Sequence, residues 1–287
     1  MDEFGAILRA REFVVRANQG SVPVRIEAYL EKVNCDLKVD STLPIDEPGY
    51  SLKIGERNII VVNGNDLSER RRFTACHELG HILLDLPSEH EDSPLWSYSR
   101  RPANEVYCDV FSAELLLPYR IFKPLADSEA IGFRALNDLA ARFEVSLTAT
   151  GSRFAAAVDA PCAFVLSEGG RVRYASRSKA LRETGAWIVP SMLLPRGSLS
   201  EIARSGQKVD GEREIAADIW FSDWKRGGLL LEEARQLSQW DQTITLLWFE
   251  DDELPDVATD GEDDEEESGL KELDGTLPWP GKSRRRR

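Results

Sequence analysis

The first part of the chain shows two hydrophobic periodicities in succession. Apolar residues at helical spacing predict helices over residues 4–18 and 24–34. Two strand-like runs follow, at residues 49–54 and 58–63, and the turn that begins at Gly55 predicts a hairpin between them. The second run contains four consecutive β-branched residues, which indicates a buried strand. A small sheet is therefore expected just before the next helical segment.

That segment, Arg70–Asp85, has the pattern of a helix that packs inside a domain. Its apolar positions recur every three or four residues, no proline interrupts it, and Pro87 follows it. Asp66 and Glu69 have the spacing of a capping box, which predicts that the helix begins at Leu67.

Further helices are predicted in the middle of the chain. One lies between Pro102 and Pro118, since proline suits the start of a helix and ends one. Residues 136–154 have a helix-turn-helix outline, with Glu144–Ser146 as the turn. The second helix of that outline offers only Arg153 as a base. Because phosphate contacts dominate binding to nucleic acid, this argues for packing rather than DNA binding.

The following residues have a mixed pattern. Residues 162–167, 171–176 and 244–249 are strand-like, whereas Leu229–Leu237 has a helical pattern. Three tryptophans in this part are predicted core residues rather than a binding cage: Trp220, Trp224 and Trp240. A second α+β unit is therefore expected.

Composition and charge exclude several classes of protein. A hydrophobic content of 42% with 30% charged residues is that of a soluble globular protein, and no window has the roughly 20 apolar residues of a membrane helix. The formal charge of −14 argues against a surface that coats nucleic acid. The N-terminus has no secretory pattern, and the four cysteines show no paired spacing. Reduced thiols in a cytoplasm are the expectation.

The helix over Arg70–Asp85 contains His77-Glu78-Leu79-Gly80-His81, the H-E-x-x-H pattern. Residues four apart lie on one helical face, so both imidazoles can point at one metal ion. Glu78 lies about 100° further round the helix, beside the ion, where its carboxylate can take a proton from activated water. A structural histidine pair is the alternative, but the position on an apolar helix after a strand favours a metal site.

A catalytic zinc site needs a third protein ligand. We predict Glu105, in the helix between Pro102 and Pro118, with Asp109 one turn later on the same face. An acid at that second position can accept the N–H of a ligating histidine and fix its tautomer. The competing candidates lie in polar loops or amid an apolar run: Asp85, Glu89, His90, Glu91 and Glu114.

Two segments together resemble a known family. RRFTACHELGHILLD and EVYCDVFSAELLLP are similar to the paired motifs of the ImmA/IrrE metallo-endopeptidases, HELGH and E-x-x-A-[ND]-x-F-A-x-x-L-L-x-P. The resemblance is close over residues 45–158 and looser beyond. Cys108 and Ser112 stand where the family usually has alanine, which leaves the ligand positions intact. The resemblance implies these roles: His77, His81 and Glu105 as Zn²⁺ ligands, and Glu78 as the catalytic glutamate.

The resemblance also implies a function. Members are typically cytoplasmic endopeptidases of restricted specificity that cleave a DNA-binding repressor or another regulator of a stress or mobile-element response. The alternative is a regulatory protein that binds a repressor or DNA and has a structural or vestigial metal site. An intact Glu78 favours the enzyme, because a structural site needs no base. The residues considered for stabilising the oxyanion are Tyr98, His90 and Tyr107.

The expected fold class is α+β. It comprises a zincin-like metallopeptidase domain with a small sheet and the HEXXH helix, a helix-turn-helix-like middle segment and a smaller C-terminal α+β unit. The predicted boundaries are residues 1–125, 126–160 and 161–250. Residues 251–287 form an acidic tail with a basic end, and too few of them are apolar to support a core. This tail is expected to be disordered.

Overall fold

The computed structural model describes residues 1–88, 102–237 and 241–250, and they form a mixed α+β protein. The chain divides into two compact units. The first comprises Met1–Phe122 and Asp138–Leu147, and the second comprises Lys123–Asn137 and the chain from Thr148 onward. The α+β class is confirmed, whereas the four-part division stays a prediction. No helix in the described ranges has both the length and the apolar character to span a bilayer.

The first unit is built on a three-stranded sheet in the order β1-β3-β2. Strand β1 is parallel to β3, and β2 is antiparallel to β3, so β2 is an edge strand. Strand β3 carries the predicted buried run, and helix α3 packs against it. The elements are α1 (Glu3–Arg16), α2 (Ile26–Glu31), β1 (Cys35–Asp40), β2 (Gly49–Ile54), β3 (Arg57–Asn63), α3 (Ser68–Leu84) and α4 (Ala103–Leu116).

The start of α3 differs from the prediction. Helix α3 begins at Ser68 with Leu67 as its N-cap, and no side chain caps it. The predicted capping box is wrong because Asp66 belongs to the preceding turn, where its N–H donates to the carbonyl of Asn63. Asn63 is itself buried and donates two side-chain hydrogen bonds to the loop that precedes β2. This polar turn therefore sets the point at which α3 begins.

Helices α3 and α4 approach each other closely at Gly80. A Cβ atom placed on Gly80 would lie 3.2 Å from both Cα and Cβ of Cys108, so a larger residue would push the helices apart. Further along the same interface, the hydroxyl of Ser112 donates to the carbonyl of Phe73. The glycine of the H-E-x-x-H pattern thus brings the two helices together at the level of the histidines.

Three helices follow: α5 (Tyr119–Asp127), α6 (Phe133–Phe143) and α7 (Leu147–Ala157). Between α6 and α7, Glu144 adopts a left-handed conformation with φ of 55°. Arg153, the base considered for DNA contact, is 3% exposed on α7. A buried guanidinium cannot contact a phosphate backbone, which favours packing as the role of this helix.

The second unit contains a five-stranded antiparallel sheet in the order β5-β4-β8-β7-β6. Trp220 is fully buried in its core, and Trp224 packs against that core, whereas Trp240 lies outside the described residues. The elements are β4 (Cys162–Glu168), β5 (Arg171–Arg177), α8 (Lys179–Glu183), α9 (Leu199–Arg204), β6 (Arg213–Ala216), β7 (Leu229–Leu237) and β8 (Gln242–Trp248).

The helix predicted at Leu229–Leu237 is wrong, because this segment is strand β7. Its residues include good helix formers, but the chain pairs with β6 on one side and β8 on the other. Burial accordingly alternates along the strand, with Leu230, Glu232 and Ala234 facing inward. Tertiary pairing outweighs intrinsic propensity here.

Candidate metal centre

His77 and His81 lie one turn apart on α3 and face the same side. Both are buried, with 7% and 4% of their surface exposed. Their Nε2 atoms are 3.1 Å apart, and their rings meet edge to face with centroids 4.9 Å apart. The spacing of four residues therefore brings both imidazoles to one point, as the sequence predicts.

Helix α4 brings Glu105 to the same point from its first turn. One carboxylate oxygen lies 3.0 Å from Nε2 of His77, and the other lies 3.4 Å from Nε2 of His81. Within the described residues these three side chains form a group that could hold a metal ion, with all donor atoms within 4.8 Å of one another. The close approach of α3 and α4 at Gly80 makes this convergence possible.

Two hydrogen bonds at the Nδ1 atoms orient the imidazoles. Nδ1 of His77 lies 2.9 Å from Oδ1 of Asp109, one turn after Glu105 on α4. Nδ1 of His81 lies 3.2 Å from the carbonyl oxygen of Leu86. That carbonyl is available because Asp85 ends α3 in a left-handed conformation and turns the chain back towards His81. Aspartate tolerates this conformation better than most residues. The aspartate at position 85 is thus the one feature of the sequence that points to this turn.

These contacts fix the tautomer that each ring adopts in its neutral, metal-binding form. A carboxylate and a carbonyl only accept hydrogen bonds, so each Nδ1 must carry the hydrogen. Both Nε2 atoms then present lone pairs to each other and to Glu105. Burial lowers the pKa of His77, but hydrogen bonds to Asp109 and Glu105 and the charges of both acids outweigh it and raise this pKa to about 9. His77 binds a metal ion only in its neutral form, so the ion has to displace this proton.

The donor set fits zinc. Two imidazole nitrogens and one carboxylate oxygen are the ligands of a common class of catalytic zinc sites, whereas calcium and magnesium prefer oxygen ligands. A tetrahedral zinc with bonds of about 2.0–2.1 Å keeps its donors about 3.3 Å apart. The observed separations of 3.0, 3.1 and 3.4 Å are close to this value.

Glu78 follows His77 on α3 and is 1% exposed. It does not belong to the group of three donors. One of its oxygens, Oε2, accepts a hydrogen bond of 2.8 Å from the hydroxyl of Ser51 on the edge strand β2. Nothing in the sequence indicates Ser51, because no local pattern links a residue of the hairpin to one in the helix.

The competing acids have other environments. Glu114 is buried, but it accepts the N–H of Tyr119 and pairs with Arg11, so it serves packing. Asp85 is exposed at the end of α3. Of the residues considered for the oxyanion, Tyr107 is half-buried on α4. The remaining candidates lie outside the described residues: Glu89, His90, Glu91 and Tyr98.

The part of the chain that contains this centre is similar to known proteins. The model of the IrrE N-terminal-like domain matches residues 31–155. The radiation response metalloprotease IrrE of Deinococcus radiodurans is 35% identical over 96 residues, or 32% of this chain and 29% of that protein. The protein of the same name from Deinococcus deserti is 35% identical over 101 residues, or 32% of this chain and 34% of that protein.

This chain therefore matches about a third of the length of these relatives. A solved structure described as a Mycobacterium tuberculosis transcriptional regulator aligns with a TM-score of 0.53 and 13% identity, covering 85% of this chain and 75% of that one. At that identity the likeness concerns the fold alone. The matched domain contains both predicted motifs, so the resemblance to the ImmA/IrrE family is confirmed over residues 31–155.

Proposed function

We propose that this chain is a zinc-dependent endopeptidase of restricted specificity that acts in the cytoplasm. The observation that carries the proposal is the convergence of His77, His81 and Glu105, with donor separations that suit zinc, together with the buried carboxylate of Glu78, which follows His77 on α3. A metal site with a purely structural role needs no such carboxylate next to it. The domain match supports the same class of activity.

Each residue has a distinct role in the proposed reaction. His77, His81 and Glu105 would hold the ion, while Asp109 and the carbonyl of Leu86 keep the two imidazoles in the ligating tautomer. Zinc, when bound, polarises a peptide carbonyl and lowers the pKa of water.

Glu78 would take the proton from the attacking water and deliver it to the leaving amine. Its burial keeps bulk solvent away from the carboxylate.

We further propose that the substrate is a DNA-binding repressor or a related regulator of a stress or mobile-element response. The family resemblance supports this class of substrate, and the match to metalloproteases named for a radiation response agrees with it. General proteolysis would not suit a regulatory enzyme, so a generic protein such as casein is expected to resist cleavage.

The proposal is tested with the zinc-loaded chain and its Glu78→Gln variant. Both are incubated with the DNA-binding proteins encoded beside the gene and with an extract of the cells that carry it, and new N-termini are identified by mass spectrometry. New termini in a regulator that require Glu78 are the expected result. Identical termini with both proteins would contradict the hydrolytic mechanism, and no new termini would favour the non-catalytic regulatory protein.

A further inference from the structure

Strand β2 lies unusually close to helix α3. A Cβ atom on Gly49 would come within 2.4 Å of the carbonyl oxygen of Val61 and 2.7 Å of Cγ2 of Thr74. Both distances are too short for any side chain. Glycine at position 49 is therefore what allows the edge strand to rest against the helix at Thr74.

The same approach brings Ser51 to Glu78. Two residues along a strand cover about 6.7 Å, and four residues along a helix cover about 6 Å. The two steps nearly match, so a strand that meets the helix at Gly49 and Thr74 meets it again at Ser51 and Glu78. The hydrogen bond of 2.8 Å between Ser51 Oγ and Glu78 Oε2 is this second contact.

The bond fixes the rotation of the carboxylate. A carboxylate only accepts, so Ser51 donates its hydroxyl hydrogen to Oε2. Among the described residues, Glu78 has no other side-chain hydrogen bond, and its second oxygen stays available for a proton from another source. Hydrogen bonds to an ionised acceptor are shorter and stronger than neutral ones, which favours this orientation of the carboxylate.

We infer that Ser51 is a positioning residue, which holds the carboxylate of Glu78 in the orientation that proton transfer requires, and that the contact of Gly49 with Thr74 places Ser51 there. This inference rests on the proposed function. It assigns a role in the reaction to the edge strand β2 without placing Ser51 among the groups that touch the substrate.

The test compares zinc-loaded crystals of the wild type, Ser51→Ala and Ser51→Thr. Threonine keeps the hydroxyl and suits a strand, whereas alanine removes the donor. In Ser51→Ala the Glu78 carboxylate should rotate or occupy more than one orientation, and in Ser51→Thr it should return to the wild-type position. A single, unmoved and fully occupied Glu78 in Ser51→Ala would overturn the inference, whether or not a substrate is known. The affinity for zinc should be unchanged in all three, since no ligand is altered.

Kinetics with the cleaved regulator add a second readout. Loss of orientation should lower kcat by about 10–100-fold with KM unchanged, and Ser51→Thr should recover most of the loss. Ser21→Ala is the control, because it removes an exposed hydroxyl of the first unit, one that donates to the carbonyl of Pro23. Full activity of Ser51→Ala beside an inactive Glu78→Gln would refute only the role of Ser51. Full activity of Glu78→Gln would refute the proposed function itself.

Discussion

Replacing Asp109 by alanine tests whether its hydrogen bond to His77 supports the binding of the metal ion. Asp109 accepts the Nδ1 hydrogen of His77 at 2.9 Å, and both side chains are nearly buried, with 11% and 9% of their surfaces exposed. Without this partner the imidazole can rotate and can carry its hydrogen on the nitrogen that should bind the ion. Water cannot easily replace an acceptor in so closed a position.

The expected magnitude follows from this geometry. Loss of an acid that orients a ligating histidine typically weakens metal binding by about 10–100-fold, which corresponds to about 1.4–2.7 kcal/mol. Asp109→Asn should have a smaller effect, since an amide oxygen can still accept the hydrogen but carries no full charge. Asp36→Ala is the matched control, because Asp36 pairs with Arg57 at an exposed position on the sheet and should not affect the ion.

The assay is competition for zinc between each variant and a chromophoric chelator, at one fixed pH near neutrality, since metal affinity depends on pH. We expect the order wild type and Asp36→Ala, then Asp109→Asn, then Asp109→Ala. If Asp109→Ala binds zinc as tightly as the wild type while it remains folded, the hydrogen bond does not orient His77 for metal binding, and the reasoning is refuted.

Three other substitutions test the packing of the first unit. Gly49→Ala should lower the free energy of unfolding by about 1–3 kcal/mol in urea denaturation, because its Cβ meets the backbone of β3. Gly20→Ala should not destabilise the protein, because nothing lies within 4 Å of its Cβ. Equal effects of the two substitutions would contradict the close packing of β2. Glu114→Ala should lower the free energy of unfolding by about 1–3 kcal/mol because it removes the acceptor of the Tyr119 N–H and the partner of the half-buried Arg11, yet the affinity for zinc should not change. Burial and the charge of Asp2 raise the pKa of Glu3 to about 7 in the folded chain. The folded chain is therefore destabilised progressively as the pH rises from 4.5 to 7. It is not destabilised below pH 4.5, where Glu3 is protonated in the folded and the unfolded chain alike. Glu3→Gln should therefore stabilise by about 1 kcal/mol above pH 7 and not at all below pH 4.5; a gain that does not depend on pH would refute this.

The residues of the candidate centre could be predicted because their relations are local. His77 and His81 are four apart on one helix, and so are Glu105 and Asp109 on another. Helical geometry alone then fixes which side chains share a face. The resemblance to a family added that the two helices meet, which periodicity cannot show. The structure brings the two pairs together as predicted.

The contacts that the sequence did not reveal are of two other kinds. Leu86 acts through its backbone carbonyl, and a backbone group leaves no trace in the choice of side chain. Ser51 reaches Glu78 across 27 positions of the chain, which depends on how the strand lies on the helix. The error at Leu229–Leu237 has a related cause, since its helical pattern is overridden by pairing with β6 and β8.

The measurement that tests the central claim most directly is the zinc content of the purified chain. Metal analysis of the wild type should find about one zinc per chain. Glu78→Gln should retain it because no ligand changes, and the double variant His77→Ala and His81→Ala should lose it. Zinc retained at full stoichiometry in that double variant would contradict the assignment of the metal centre to α3 and α4.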